Sequence, residues 1–266
     1  CGRANANRLL GRLLFELNKE LNIGICEMSG GMKDNAIPRE AQAKIVIRPE
    51  DLTRAEKIKE KFIADIRDEF YASDAQIKID LKIDCNKEKK FDIFHPSDME
   101  RVLFIIIQSP NGIQTMSMEL PGLVESSLNL GVMRTEEASV CFSWAVRSSK
   151  KSLKYYISDQ LEYLTEFLGG TYWYDGEYPH WSYRSHSPFR ELVASVYKEV
   201  TGKDASIEAI HAGLECGLIS EKMPKLDIVA LGPDIFDIHT PDEHLSISSV
   251  ERTYRLLRTV LSRIKK

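Results

Sequence analysis

Ile23-Gly24-Ile25-Cys26-Glu27-Met28, then the Gly30-Gly31 pair, then Ala41-Gln42-Ala43-Lys44-Ile45-Val46-Ile47: this stretch decides the fold. Two short apolar runs, parted by Gly-Gly and by Asn35-Ala36-Ile37-Pro38, predict two strands with a turn between them. Upstream, Leu9, Leu10, Leu13, Leu14, Leu17 and Leu21 fall at helical spacing within Arg3 to Leu21, an amphipathic helix whose start looks cut short. Downstream, Asp51 to Tyr71 returns to helical period. In Gln76 to Ile83 the residues Ile77, Ile79, Leu81 and Ile83 share one strand face. Helix, strand, strand, helix, strand is a ferredoxin-like βαββαβ unit without its first strand.

A similar order recurs. Ser97 to Gln108 reads as a helix and Gly112 to Met118 as a strand. Ser126 to Arg134 and Ala138 to Arg147 pair around Thr135-Glu136-Glu137. Lys150 to Leu168 is a helix stopped by Gly169-Gly170, and Thr171 to Tyr174 a strand. The two halves repeat in element order and not in residues, which is a weak sign of duplication. From Tyr174 to His186 the chain is aromatic and turn-rich, the character of a passage between domains. Ser187-Pro188 then opens a helix ending at Gly202. Ser206 to His211 reads as a strand, Gly213 to Ile219 as a short helix, Asp227 to Leu231 as an apolar strand, and Ser248 to Ile264 as a closing helix. That rhythm predicts an α/β domain with a buried, mainly parallel sheet. The expected organisation is an α/β chain with an α+β domain over residues 1–174 and a second domain over 175–266.

Composition narrows the function. Of 266 residues, 43% are hydrophobic and 29% charged, as in an ordinary globular protein. The net charge of −4 leaves no basic footprint for nucleic acid. No apolar run approaches the roughly 20 residues of a membrane span. Five cysteines, widely spaced and without a CxxC pair, argue against a cysteine zinc site and against disulfides, which favours a reducing, cytoplasmic compartment. The chain opens on Cys1 inside a helical pattern, so we expect it to be a piece of something longer. GxSxG, P-loop and dinucleotide fingerprints are absent from the sequence.

Ligands gather at the carboxyl ends of strands in α/β sheets. Two polar loops satisfy that rule: Ile210 to Gly217, and Gly232 to Glu243. His239 stands among Asp234, Asp237, Asp242 and Glu243. Imidazole is the commonest metal ligand and carboxylates can orient it, yet an acidic surface loop reads the same way. Glu215 opens a helix, where the dipole alone favours a carboxylate. His211 ends a strand and can equally be a hydrogen-bonded core residue. Asn35 lies in a turn and can be simple turn chemistry. Arg147 ends a strand, either solvated or as a fork for a carboxylate.

At these segments the chain resembles a known family. Gly2-Arg3-Ala4-Asn5-Ala6-Asn7, Asn35-Ala36-Ile37-Pro38-Arg39-Glu40-Ala41, Ser127-Leu128-Asn129-Leu130-Gly131, Ile210 to Gly217, and Gly232-Pro233 with His239, Pro241-Asp242-Glu243 and Ser249-Val250-Glu251 look like the aminoacylhistidine (Xaa-His) dipeptidases. These belong to the di-zinc exopeptidase group that also holds carboxypeptidase G and the carnosinases. The resemblance implies that residues 1–174 are most of a lid and dimerisation domain, and 175–266 the C-terminal piece of a zinc-peptidase catalytic domain. It implies that His239 is a zinc ligand, that Arg147 binds the substrate's C-terminal carboxylate, and that Asn35 contacts substrate or the developing oxyanion. It also implies that Glu215 meets the free amino group, that two zincs serve the full enzyme, and that the partners are a dipeptide and a second copy of the chain. The family's other metal ligands, its general-base glutamate and a lid histidine stand N-terminal to the matching region. This chain contains no catalytic base of that kind, and we expect it alone to be inactive. The loop before His239 departs from the family in reading Asp234-Ile235-Phe236-Asp237-Ile238. Two other classes remain open: a non-catalytic lid for dimerisation or substrate capture, and a relative acting on N-acyl amino acids.

Overall fold

The computed structural model describes residues 2–84, 90–208, 214–238 and 240–264. The chain divides into two compact units. The first comprises Cys1–Met116, Val124–Ser148 and Ser152–Asp175, and the second Ser117–Leu123, Ser149–Lys151 and Gly176–Lys266.

The first unit begins with α1 (Ala6–Leu21), whose start is complete: the Asn5 side chain accepts from the Arg8 N–H at 3.1 Å, an N-cap. The leucine stripe begins after this cap, which is why the pattern alone looked cut short. There follow β1 (Gly24–Gly30), β2 (Ala41–Val46), a single 3-10 turn (Pro49–Asp51) and α2 (Leu52–Glu69). Then come α3 (Pro96–Gln108), β3 (Gly112–Met116), β4 (Val124–Thr135), β5 (Val140–Ser148) and α4 (Lys151–Phe167). The two halves expected from the element order do not make two sheets. They join in one antiparallel sheet of order β2-β1-β4-β3, with β5 also paired to β4.

Strand β4 is the hub. β5 runs along one of its edges from Ser126↔Ser148 to Thr135↔Val140. The other edge is shared by β1, at Met133 and Arg134, and by β3, from Val124 to Leu128. Leu128, Leu130 and Met133 are buried, so the inward phase shifts by one residue between Leu130 and Met133. The register breaks at the same place: Leu130 pairs with Trp144 and Val132 with Ser143, which makes Gly131 the extra residue of a bulge. Strand β1 uses the same device at Cys26, between Ile25 and Glu27.

Helices cover one face of this sheet. Leu14, Phe62, Ile66, Leu103 and Ile106 close over Ile25, Met28 and Met133, while Ile157 and Leu161 close over Leu128. Burying such a side chain is worth about 1.5–3 kcal/mol. The approach of α1 to α3 needs Gly11, where a Cβ would lie 2.1 Å from Ile106 Cγ2. Beside it the Arg8 guanidinium donates to the carbonyls of Ile106, Ile107 and Ser109, the unsatisfied end of α3.

Two expected strands of this unit do not form. In Gln76 to Ile83, Ile77 and Ile79 pack against the core but Leu81 and Ile83 are exposed, and the segment has no ladder partner among the described residues. Alternation supplies only the side-chain half of a strand. Thr171 to Tyr174 is likewise outside the sheet.

The second unit holds α5 (Pro188–Thr201), α6 (Glu215–Lys222), β6 (Ile235–Phe236), β7 (His244–Leu245) and α7 (Ile247–Arg263). Ser187 caps α5, and Gly202 closes it at φ 72°. Val193 and Val196 meet Leu256 and Val260 of α7 in a small core. The mainly parallel sheet expected here is not found among the described residues. Asp227 to Leu231 pairs with no strand, residues 206–208 form none, and the observed pairing is the antiparallel β6–β7 hairpin. A parallel ladder requires a neighbouring strand. Asp227 instead serves α5, accepting from the Ser187 hydroxyl at 2.7 Å and the Phe189 N–H at 2.9 Å. The α/β class itself stands, as helices with an antiparallel sheet.

Candidate functional site

The first unit assembles its polar groups at one place on β4. Asn35 sits exposed in the turn after β1, its N–H donating to Asp34 Oδ1 at 2.7 Å. The turn is held from below. Asn129 Nδ2 donates to the carbonyls of Asp34 (3.0 Å) and Ala36 (2.8 Å), one on each side of Asn35. The Asn129 amide oxygen accepts from Asn5 Nδ2 at 2.9 Å, and the same nitrogen reaches the Leu130 carbonyl at 3.1 Å. Asn7 Nδ2 donates to the carbonyls of Gly30 and Leu130, both at 3.3 Å. The Ala6 N–H donates to the Pro38 carbonyl at 3.1 Å, so the far end of the turn is tied to α1.

Close approach makes this possible. At Gly131 a Cβ would lie 2.2 Å from the Asp34 carbonyl oxygen, and at Gly31, with φ +74°, only 1.8 Å from the Gly131 carbonyl oxygen. Only glycine lets the turn rest on the bulge.

Arg147 is half-buried on β5, directly opposite Ser127. Direct cross-strand partners share a sheet face, and so do residues two apart on a strand. Arg147, Ser127 and Asn129 therefore stand on the face opposite Leu128 and Leu130. Arg147 and Asn129 are diagonal neighbours, with side chains leaving the sheet about 7–8 Å apart. The structure thus brings two of the sequence candidates, Arg147 on β5 and the Asn35 turn seated on β4, to one face of the sheet. A guanidinium there can hold a carboxylate by a bidentate fork.

In the second unit Glu215 is the first residue of α6 and exposed. Nearby, burial and then the Glu215 charge push the Tyr178 phenol above its ordinary value. The Pro179 carbonyl lies 2.6 Å from where a Cβ at Gly217 would stand, so this segment rests directly on α6. His239 and His211 lie outside the described residues. The frame around the His239 loop is described: Phe236 and His244 stack across the hairpin with centroids 5.1 Å apart. Asp237 turns at φ 53°, and its carbonyl accepts from the Thr240 N–H at 3.1 Å. Ser249 of α7 donates to the Ser246 carbonyl and accepts from the Asp234 N–H at 2.9 Å, while Arg252 meets the Asp234 carboxylate at 3.1 Å.

Asn5, Asn7 and Asn129 carried no role in the sequence reading, although they stand in its quoted strings. Asn5 and Asn7 are buried and Asn129 is half-buried. The signal that could have found Asn5 and Asn129 is an amide set between apolar neighbours, Ala4 and Ala6 or Leu128 and Leu130, where it must find hydrogen-bond partners. Among the described residues no three of His, Cys, Asp and Glu converge as a metal ion requires. They do not by themselves fit a zinc pair.

A sheet backed by helices on one face, with a clamped polar turn and an arginine on the other, sets the class of comparison. Residues 2–74 match the family described as the peptidase dimerisation domain. Over 263 residues, 99% of its length, the chain is 32% identical to the cytosol non-specific dipeptidase of Escherichia coli (strain K12), covering 54% of that protein. It superposes on the crystal structure of aminoacylhistidine dipeptidase from Vibrio alginolyticus with a TM-score of 0.91 at 31% identity, covering 100% of this chain and 54% of that one. The resemblance to the aminoacylhistidine dipeptidases is thereby shown, in sequence and in fold. The chain spans about half the length of the relatives it matches.

Proposed function

We propose that this chain is part of a metal-dependent dipeptidase that hydrolyses dipeptides such as Xaa-His. Residues 1–174 serve as its lid and dimerisation domain, and 175–266 as the C-terminal piece of its catalytic domain. Arg147 binds the dipeptide's terminal carboxylate, Asn35 contacts the substrate or the developing oxyanion, and Glu215 meets the free amino group. His239 is the ligand this chain contributes to a two-zinc site whose other ligands and general base it lacks, so the chain alone is inactive. The observation that carries this reading is Arg147 on the same sheet face as the clamped Asn35 turn. The named activities of both relatives support it. Among the described residues no helix is long and apolar enough to cross a membrane.

The decisive experiment compares aminoacyl-histidine dipeptides with N-acyl amino acids on the full-length protein, with and without chelator. Chelator-sensitive hydrolysis of the dipeptides is expected. Preference for N-acyl amino acids, or zinc-dependent hydrolysis by this chain alone, would overturn the corresponding part. A second reading, a non-catalytic dimerisation module, draws on the match of residues 2–74. It predicts self-association with no hydrolysis by the full-length protein.

A further inference from the structure

We propose that Asn129 is a positioning residue, the clamp that sets the Asn35 turn in its working geometry. The proposal rests on the reading above that Asn35 meets the substrate. Asn35 is exposed, and its N–H bonds only one residue back, so nothing in its own contacts fixes where the turn stands on the sheet. Asn129 does. Its amide nitrogen has two hydrogens, and they go to the carbonyls on either side of Asn35, at 3.0 and 2.8 Å. Its oxygen is oriented in turn by Asn5, which is buried and caps α1. The amide is therefore satisfied at both ends and cannot flip without losing all three bonds.

Glycine at 131 completes the seat, because the Asp34 backbone occupies the space a side chain would take. Two residues of β4 thus fix the turn by different physics, one by donation and one by absence. Ser127, in the same strand segment, faces Arg147, so one rigid strand sets the spacing of both substrate contacts. A misplacement of about 1 Å in such a contact can cost about 100-fold in rate.

The test uses the full-length protein and an aminoacyl-histidine dipeptide. Asn129→Asp keeps the shape and the acceptor for Asn5 but removes both donations. We expect amide exchange at residues 34–37 to rise about tenfold or more. We expect kcat to fall about 10- to 100-fold with little change in KM, because the lost contact acts in the transition state. The double variant Asn35→Ala/Asn129→Asp should be no slower than Asn35→Ala. Gly131→Ala displaces the same turn without touching the amide and should reproduce both effects, which keeps the test decisive if Asn129→Asp folds poorly. Unchanged exchange, or multiplicative losses in the double variant, would overturn the clamp. Full activity in Asn35→Ala with raised exchange in Asn129→Asp would instead overturn the substrate role of Asn35, and with it the functional consequence of the clamp.

Discussion

Asn5 Nδ2 donates to the amide oxygen of Asn129 at 2.9 Å, joining residues 124 positions apart in the chain. Through this bond the start of the first helix and the central strand of the sheet share one polar group. The turn that carries Asn35 is built on it.

Asn5→Ala removes the α1 cap, the bond to Asn129 and the bond to the Leu130 carbonyl together. We expect a loss of about 1–3 kcal/mol in unfolding free energy, measured by urea denaturation. A change within about 0.5 kcal/mol, as at an ordinary surface site, would show that the network adds nothing to stability.

Gly31→Ala and Gly112→Ala form a matched pair. Both glycines have positive φ, 74° and 81°, but a Cβ at Gly112 meets open space while one at Gly31 meets the Gly131 carbonyl. We expect about 1 kcal/mol at Gly112 from backbone strain alone. At Gly31 we expect clearly more, with local displacement of the turn. Equal costs in denaturation would rule out the close approach.

Two carboxylates make stability depend on acid. The Ala4 N–H at 2.9 Å, then Ser73 and Arg3, hold Asp74 below its ordinary value. For Asp227 burial opposes ionisation, but the Ser187 hydroxyl and Phe189 N–H outweigh it and hold it below too. A depressed carboxylate contributes fully above its unfolded value, about 3.9, and the contribution is lost as pH falls through the lower folded value. Unfolding free energy should therefore drop below about pH 4. Asp227→Asn should make the fall shallower, and an unaltered pH profile in that variant would contradict the assignment.

Arg147→Ala should raise KM for a dipeptide about 10- to 100-fold, the worth of charged hydrogen bonds to a carboxylate. Arg147→Lys should restore only part of it, since an ammonium lacks the planar fork. Steady-state kinetics on the full-length protein reads this directly. A change in kcat with KM unaltered would place Arg147 outside the carboxylate site.

Helices were the legible part of the fold. The leucine stripe of α1, the Ser187-Pro188 start and the Gly202 stop of α5 are local chemistry, and each stands where spacing and capping put it. Strands were legible only where a partner exists. Ile77 to Ile83 alternates as regularly as any strand, yet alternation says nothing about who supplies the ladder. The joining of β1 to β4 was hidden for the same reason, since its two pairs link residues about a hundred positions apart. At the candidate site Asn35 and Arg147 were nameable from turn and strand-end chemistry and from resemblance. Their shared face was not, because it depends on the register Ser127↔Arg147.

Gly131 is a residue the hydrophobic core could do without. Strike it from β4, and Leu128, Leu130 and Met133 would follow one another in simple alternation, every apolar side chain still inward. The strand is one residue longer than its packing requires, and the surplus position is the one on which Asp34 rests. In a family comparison, length at this point should therefore travel with the turn: chains that lose the extra residue should also have remodelled the segment around Asn35, while their cores remain unchanged.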